Sequence, residues 1–237
     1  MAPISRCAPA RRQRLRDWMP FAVCVLLAAG CGPAGQRGTG NMPGDAPQFG
    51  RGFFEKGYAS WYGAELAGRP TASGKPFNPR GMSAAHRILP FGTLIQVKNL
   101  ENGRCVVLPV NDRGPFVPGR VLDCSDGAAR ALGFRSQGLT RVAIKLPRGM
   151  TRQEIETGEF WVQFGVFQDA KQARQLQARL ACAPHPAQVH VEGDLLLVRS
   201  GPYDGLPAAE KARRKLARCG LNGCILRLDR DDEAAAR

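Results

Sequence analysis

Short extended segments separated by turn residues constrain the fold of residues 57–146 more than any other feature. Five segments rich in aliphatic and β-branched residues recur there, with Gly, Pro and Asn between them. One helix interrupts the pattern, from Asp126 to Leu132, with Ser125 as its N-cap and Gly133 after its end. Many short strands with little helix predict a small closed barrel rather than a layered α/β sheet. The predicted strands are Tyr58–Tyr62, Thr93–Lys98, Cys105–Val110, Arg120–Leu122 and Arg141–Leu146.

An approximate internal repeat follows after a polar connector. The strand Trp161–Phe167 precedes a helix with Ala and Leu on one face, and the strand Leu197–Tyr203 precedes a similar helix. Strand–helix–strand, repeated, predicts a βαββαβ unit with four strands and two helices on one face of the sheet. The predicted buried helix positions are Ala170, Ala173, Leu176, Leu180, Ala209, Ala212 and Leu216.

The N-terminus resembles an export signal. An Arg-rich stretch precedes the apolar run Met19–Ala29, which is too short to span a bilayer, since spanning requires roughly 20 residues. The run ends in Ala29–Cys31, which resembles a bacterial lipobox and predicts cleavage before Cys31 and lipidation of its sulfur. Gly32 stands where Asp would favour inner-membrane retention, so we expect the periplasmic face of the outer membrane. An ordinary cleaved signal and a buried helix are the alternatives.

The chain is strongly basic, with a formal net charge of +14, of which about +10 remains after the N-terminal segment is removed. A basic surface suits nucleic acid, anionic lipid or an acidic polymer. Export disfavours nucleic acid as the partner. Anionic lipid and an acidic polymer remain.

Cysteine spacing offers no metal site, because no CxxC pair or His cluster is present, and we expect no cofactor. Cys7 and Cys24 fall within the signal. The other five, apart from Cys31, are an odd number, so at least one thiol stays free. A Cys105–Cys124 bridge is one possibility, and the sequence leaves the pairing open. These five are Cys105, Cys124, Cys182, Cys219 and Cys224.

Composition shifts divide the chain into six parts. A Gly- and Pro-rich stretch predicts a flexible tether, and a polar C-terminal stretch predicts a frayed tail. The predicted parts are a signal peptide at 1–30, a tether at 31–55, the barrel at 56–147, a linker at 148–159, the repeat domain at 160–228 and a tail at 229–237.

Five sequence blocks of the barrel region resemble, in order, the double-psi β-barrel of the rare lipoprotein A family. The repeat region resembles the sporulation-related repeat (SPOR) domain through Val162–Gly165 and Val198–Tyr203. The resemblance implies a mainly β plus α+β chain: a six-stranded double-psi β-barrel followed by a βαββαβ, ferredoxin-like SPOR domain. The five blocks are Ala59–Gly63, Thr71–Gly74, Ala84–His86, Leu89–Thr93 and Asn111–Phe116.

This resemblance implies a lytic transglycosylase, which cuts the MurNAc–GlcNAc bond without water and leaves a 1,6-anhydro end. Ordinary glycosidases need two carboxylates. Here the sugar's own 6-hydroxyl attacks, so one carboxyl can act first as acid and then as base. Such a carboxyl needs a raised pKa in a partly desolvated groove. The family pattern places Asp112 in this role and His86 as a second catalytic candidate, which orients the acid or binds sugar hydroxyls.

Other side chains of the barrel are predicted to contact the glycan. Trp61 and Tyr62 either stack on sugar rings or pack in the core. Arg113 would lower the pKa of Asp112 if the two paired, so it is expected to face the substrate or to have a structural role. Asp123, in the following strand, is expected to be structural.

For the second domain, the resemblance implies binding of denuded glycan, meaning strands whose stem peptides an amidase has removed. It thereby implies recruitment to the division septum and a functional link to septal amidases. Peptide removal frees a lactyl carboxylate on each MurNAc, so the target is acidic and the protein is basic. The candidate binding residues are Gln163, Phe164, Arg199 and Tyr203, and strand alternation leaves open which of them face the core.

One departure from the family separates the functional hypotheses. Lys75 follows Thr71–Gly74 where the family usually has an acid, and Asn78 stands where Asp is common. Neither side chain can replace a carboxyl as a general acid near neutral pH. The leading hypothesis is the enzyme, with Asp112 as acid and base. The alternatives are a non-catalytic septal glycan-binding lipoprotein and an expansin-like protein that loosens strand contacts without cleavage.

Overall fold

A computed structural model of the chain describes residues 47–228. The predicted signal peptide, the lipidation site Cys31, most of the tether and the tail at 229–237 lie outside the described residues. Within 47–228, no helix combines the length and the apolar character needed to cross a membrane.

The first domain is a closed six-stranded barrel, as predicted. Its strands are β1 (Glu55–Tyr62), β2 (Ala84–Ala85), β3 (Leu94–Asn99), β4 (Cys105–Asp112), β5 (Arg120–Ser125) and β6 (Thr140–Lys145). They close in the order β1-β5-β2-β4-β3-β6. The β1–β5 and β2–β4 pairs are parallel, and the other pairs are antiparallel. Strand β2 was not predicted, because two residues carry no recognisable period.

The predicted helix, α1 (Asp126–Leu132), is confirmed together with both of its ends. Ser125 Oγ accepts a hydrogen bond from the backbone N–H of Ala128, and Gly133 adopts a left-handed conformation with φ 74°. The same hydroxyl donates to the Gly81 carbonyl at 2.7 Å and accepts from the Ser83 N–H at 3.2 Å. The helix cap therefore also anchors the long loop that leads into β2.

The barrel core is aliphatic and contains one buried thiol, Cys124. Cys105 is exposed at the start of β4, and β2 lies between β4 and β5, so the two cysteines do not sit on neighbouring strands. The Cys105–Cys124 bridge considered from the sequence is not formed. All five cysteines between residues 47 and 228 are free thiols.

A short helix, α2 (Arg152–Glu156), occupies the segment predicted to be an irregular linker. Thr151 and Glu154 form a complete capping box at its start, in which each side chain accepts from the other residue's backbone N–H. In the sequence, the spacing Thr-x-x-Glu indicates this helix start, whereas the polar character of the segment predicts only a linker.

The second domain confirms the predicted βαββαβ order. Its elements are β7 (Glu159–Phe167), α3 (Ala170–Arg179), β8 (Ala187–Glu192), β9 (Leu195–Asp204), α4 (Leu206–Ala217) and β10 (Cys224–Arg227). The four strands form an antiparallel sheet in the order β10-β7-β9-β8. Of the predicted buried helix positions, Ala173, Leu180, Ala209, Ala212 and Leu216 are buried, Leu176 is partly buried and Ala170 is exposed.

The two domains make direct contact through the segment that follows β2. The Ile88 side chain packs against the core formed by Phe160, Val162 and Tyr203. The Arg227 N–H of β10 donates to the Arg87 carbonyl at 2.9 Å.

Arg113 crosses this interface from the barrel. Its Nε donates to the Arg227 carbonyl at 2.6 Å, and one terminal nitrogen donates to the Leu89 carbonyl at 2.8 Å. The guanidinium also stacks 3.6 Å above the centroid of the Phe91 ring. The residue directly after Asp112 therefore ties the barrel to the last strand of the second domain.

We expect Arg113→Ala to lower the free energy of unfolding by about 2–4 kcal/mol, because it leaves buried carbonyls without their donor. Chemical denaturation measures the loss. Arg130→Ala is the matched control: Arg130 is exposed and makes a surface ion pair with Asp126, so its loss should be below about 1 kcal/mol. Equal losses in the two variants would show that the interface contact adds no stability.

Candidate active site

Asp112 and Asp123 share one open cleft because β2 lies between their strands. Ala85 pairs with Asp112 of β4 on one side and with Asp123 of β5 on the other. The cleft, here called the Asp112 cleft, has a volume of about 210 Å³. Its lining residues are Tyr62, Leu66, Ala85, Asp112, Arg113, Gly114, Phe116, Val117, Arg120 and Asp123.

The Asp112 carboxyl is partly buried, and main-chain N–H groups bond to one of its two oxygens. Its Oδ1 accepts hydrogen bonds from the backbone N–H groups of Ala72 at 2.9 Å and Arg113 at 2.8 Å. Burial raises its pKa above the ordinary value, although these two N–H groups, the Arg113 charge and the Tyr62 hydroxyl act in the opposite direction. A carboxyl with a raised pKa can hold a proton nearer neutral pH, as a general acid must.

The Thr71–Gly74 turn aims the Ala72 N–H at this carboxyl. Thr71 donates to the Lys75 carbonyl through its N–H at 2.8 Å and through its hydroxyl at 2.9 Å, which closes the turn. The Ser73 N–H donates to the Asn111 carbonyl at 3.3 Å and docks the turn on β4. Lys75 is exposed and does not line the Asp112 cleft.

Asp123 was expected to be structural, and the structure places it on the cleft wall. The Ser60 hydroxyl donates to its Oδ1 at 2.6 Å, and Arg120 donates to its Oδ2 at 2.9 Å as an ion pair. Both partners fix the carboxylate without removing it from the cleft. Sequence reasoning missed this placement because it depends on the pairing of the unpredicted strand β2.

Tyr62 and Trp61 lie on opposite faces of β1, as neighbouring strand residues do. The Tyr62 hydroxyl lies in the Asp112 cleft, near enough to Asp112 for the two groups to shift each other's pKa. Burial raises its pKa, so the hydroxyl stays protonated. Trp61 does not line the cleft: it packs against the barrel core and its indole N–H donates to the Arg135 carbonyl at 3.1 Å.

His86 lies below the cleft surface and does not line it. Its Nδ1 accepts from the N–H groups of Ile88 at 3.3 Å and Leu89 at 3.2 Å, so the proton is on Nε2, which donates to Glu55 at 3.0 Å. Burial lowers its pKa, although Glu55 opposes the shift. The neutral His86 ring therefore holds the backbone of residues 86–89 in place. In this segment Ile88 contacts the second domain, and the Leu89 carbonyl accepts a hydrogen bond from Arg113. The His86 backbone N–H donates to the Asp112 carbonyl at 3.1 Å.

Arg113 borders the Asp112 cleft, but its guanidinium points into the domain interface described above. Of the two roles expected from the sequence, the geometry matches the structural one. The guanidinium is engaged with the main-chain carbonyls of Arg227 and Leu89, although its charge still acts to lower the pKa of Asp112.

The four candidate residues of the second domain separate into two pairs. Gln163 and Arg199 are joined by a 2.9 Å hydrogen bond, and Arg199 pairs with Glu192 at 2.9 Å. These three residues are called the Gln163 cluster. Phe164 and Tyr203 instead pack against the helices, and the Tyr203 hydroxyl bonds to Ser200 at 2.7 Å.

No group of His, Cys, Asp and Glu within residues 47–228 is arranged to hold a metal ion. The Asp112 cleft presents two carboxyls, the Tyr62 hydroxyl and main-chain groups.

Comparison with known proteins relates both domains to characterised families. Residues 55–144 match the family described as "Lytic transglycolase", and residues 156–227 match the SPOR domain. Curated relatives include the probable endolytic peptidoglycan transglycosylase RlpA of Synechocystis sp., 56% identical over 90 residues, which are 38% of this chain and 28% of the relative.

Two further relatives are endolytic peptidoglycan transglycosylases RlpA. The Pseudomonas aeruginosa protein is 39% identical over 132 residues, or 56% of this chain and 36% of the relative. The Rickettsia bellii protein is 46% identical over 113 residues, or 46% of this chain and 50% of the relative. The chain spans between about a quarter and a half of the length of these curated relatives.

The chain consists of a double-psi β-barrel, which is similar to the barrels of RlpA proteins, followed by a SPOR domain. Both resemblances predicted from the sequence are confirmed.

We expect His86 to make the protein less stable as the pH falls. Its folded pKa is lowered, so below the ordinary His pKa of about 6.5 the unfolded chain binds a proton that the folded protein resists. The free energy of unfolding should therefore decrease between about pH 7 and pH 5. In His86→Gln, whose side chain does not titrate, this decrease should be smaller. Identical pH slopes in the two proteins, measured by urea denaturation, would contradict the assignment.

Proposed function

We propose that the protein is an endolytic peptidoglycan lytic transglycosylase, which cuts MurNAc–GlcNAc bonds in glycan strands and leaves 1,6-anhydro ends. The observation that carries this proposal is the Asp112 carboxyl, whose pKa is raised by burial and which faces an open cleft beside a second carboxylate. The names of the RlpA relatives support the same activity.

Asp112 is proposed to serve as acid and then as base. Because Oδ1 accepts both backbone N–H groups, Oδ2 is the oxygen that carries the proton. Asp112 gives this proton to the glycosidic oxygen, and the bond from that oxygen to the MurNAc anomeric carbon breaks. The 6-hydroxyl of the same MurNAc attacks the anomeric carbon and returns its proton to Asp112. No water is consumed, and the carboxyl ends in its starting state.

The other cleft groups are proposed to support the transition state. The anomeric carbon gains positive charge as the bond breaks. Asp123, fixed by Ser60 and Arg120, presents a carboxylate on the same wall, where a negative charge stabilises that carbon. The Tyr62 hydroxyl is available to bond a sugar hydroxyl.

The position of Lys75 is compatible with enzymatic cleavage of the glycan. The residue is exposed and stands outside the cleft lining, while Asp112 and Asp123 both remain in it. Loss of the family acid at position 75 therefore leaves two carboxyls at the reaction centre. This favours cleavage over the non-catalytic glycan-binding alternative.

The SPOR domain is proposed to bind strands that lack stem peptides, and through them to recruit the protein to the division septum, where amidases produce such strands. Within the Gln163 cluster, Gln163 and Arg199 are nearly buried and Glu192 is exposed, and the cluster supplies polar groups on the sheet for this contact. Lipidation at Cys31 is proposed to anchor the protein to the outer membrane.

We expect Asp112→Asn to reduce the formation of anhydro-muramyl ends by a factor of about 10²–10⁴, the usual contribution of a general acid. Mass spectrometry of amidase-treated peptidoglycan incubated with purified protein measures these ends. The variant keeps an Oδ1 acceptor for Ala72 and Arg113 and loses a desolvated carboxyl, so its melting temperature at pH 7 should be equal or higher.

Asp194→Asn is the matched control, because Asp194 is exposed in the turn between β8 and β9. Its activity should equal that of the native protein. If the native protein yields no anhydro ends while it still binds the glycan, the protein is a binder and the proposal is wrong.

A further inference from the structure

A second concavity, which the proposed reaction does not use, lies between the two domains. This interdomain groove has a volume of about 640 Å³. The barrel contributes Arg87, Phe116 and Val117 to its lining, and the SPOR domain contributes Phe164, Arg213 and Asn222.

The interdomain groove is continuous with the Asp112 cleft. Phe116 and Val117 line both of them, and these side chains are 42% and 48% exposed. The lining of the groove also includes Gln163, whose side chain bonds to Arg199. The two concavities together therefore extend from Asp112, over Phe116 and Val117, to Gln163.

The small volume of the Asp112 cleft implies that a glycan strand needs further binding surface beside it. Pockets that enclose a drug-sized molecule measure about 300–1,000 Å³, and the Asp112 cleft, at about 210 Å³, is smaller. It accommodates only the sugars next to the bond that breaks. A strand cut at an internal bond must continue beyond the cleft in both directions.

The chemistry of the interdomain groove matches an acidic glycan. Phe116 and Phe164 provide aromatic surface, on which the apolar faces of sugar rings pack. Arg213 and Arg87 supply positive charge, Arg87 while it also pairs with Glu55 at 3.5 Å, and Glu210 is the acidic residue of the lining. Glu210 is itself within 3.6 Å of Arg214.

We infer that the interdomain groove is an extended glycan subsite, in which both domains hold the peptide-free continuation of the strand whose bond lies at Asp112. The inference rests on the proposed function for the identity of the strand. It assigns the SPOR domain a part in substrate positioning in addition to recruitment. The freed lactyl carboxylates of the strand meet Arg87 and Arg213.

The test compares two charge reversals on α4 in the full chain, purified in detergent. Arg213→Glu changes the groove, whereas Lys215→Glu makes the same charge change at an exposed residue outside its lining. Asn222→Trp, which narrows the groove without a charge change, is a second groove variant in case Arg213→Glu fails to fold.

The readout is the ratio of kcat/KM for long denuded strands to kcat/KM for a tetrasaccharide of the same sugars. We expect Arg213→Glu and Asn222→Trp to lower this ratio at least tenfold, and Lys215→Glu to leave it unchanged. Equal ratios in all the proteins would overturn the inference while leaving the activity established.

Binding to long denuded strands, measured in the Asp112→Asn background, separates this inference from the proposed function. The Kd should rise at least tenfold with Arg213→Glu and should not change with Lys215→Glu. If no protein cleaves glycan but this difference in Kd is found, the proposed function fails and the subsite stands. If the two variants bind equally well, the subsite is wrong.

Discussion

The pairing of Ala84 and Ala85 with two strands at once is the constraint on which the site depends. On one side this two-residue strand continues the β4 ladder, and on the other it continues β5. The arrangement brings Asp112 and Asp123, which lie on strands that do not pair with each other, to one cleft. Arg87 and Ile88, which follow, contact the second domain. The pairing of β2, parallel to β4 and antiparallel to β5, therefore determines both the positions of the two carboxyls and the contact between the domains.

Two carboxyls in one cleft are kept chemically distinct by their surroundings. Asp112 is bonded to main-chain N–H groups through one oxygen, and burial raises its pKa. Asp123 is held by a hydroxyl and by the Arg120 guanidinium in an ion pair. Different environments for paired carboxyls are a known way to assign an acid and a charge-stabilising group. The engagement of Arg113 at the interface matters here, because a guanidinium bonded to Asp112 would favour its ionised form.

The sequence predicted the elements with a clear period and missed those without one. Strands β1 and β3–β6, helix α1 and the βαββαβ repeat follow from alternation, capping residues and an internal repeat. The two-residue strand β2 has no period, so the placement of Asp123 was not foreseen. Register shifts in the β7–β9 pair, between Phe160 and Val162 and between Gln163 and Gly165, interrupt simple alternation. For that reason the sequence does not show which SPOR residues face the core and which face solvent.

Contacts between residues that are far apart in the sequence could not be predicted either. The bond from Arg113 to Arg227 joins residues 114 positions apart, and no local pattern predicts it. The continuity of the Asp112 cleft with the interdomain groove likewise depends on how the two domains pack. The family motif identified Asp112 as the candidate acid, and only the structure supplies a physical reason for its raised pKa.

The most direct test of the account is the titration of the Asp112 carboxyl, followed by the carbon-13 chemical shift of that group in the full chain. The account predicts a midpoint above the ordinary aspartate value of about 3.9, because desolvation outweighs the two N–H groups and the Arg113 charge. A midpoint at or below that value would mean that Asp112 is ionised throughout the neutral range. Such a result would contradict its assignment as the acid that begins cleavage.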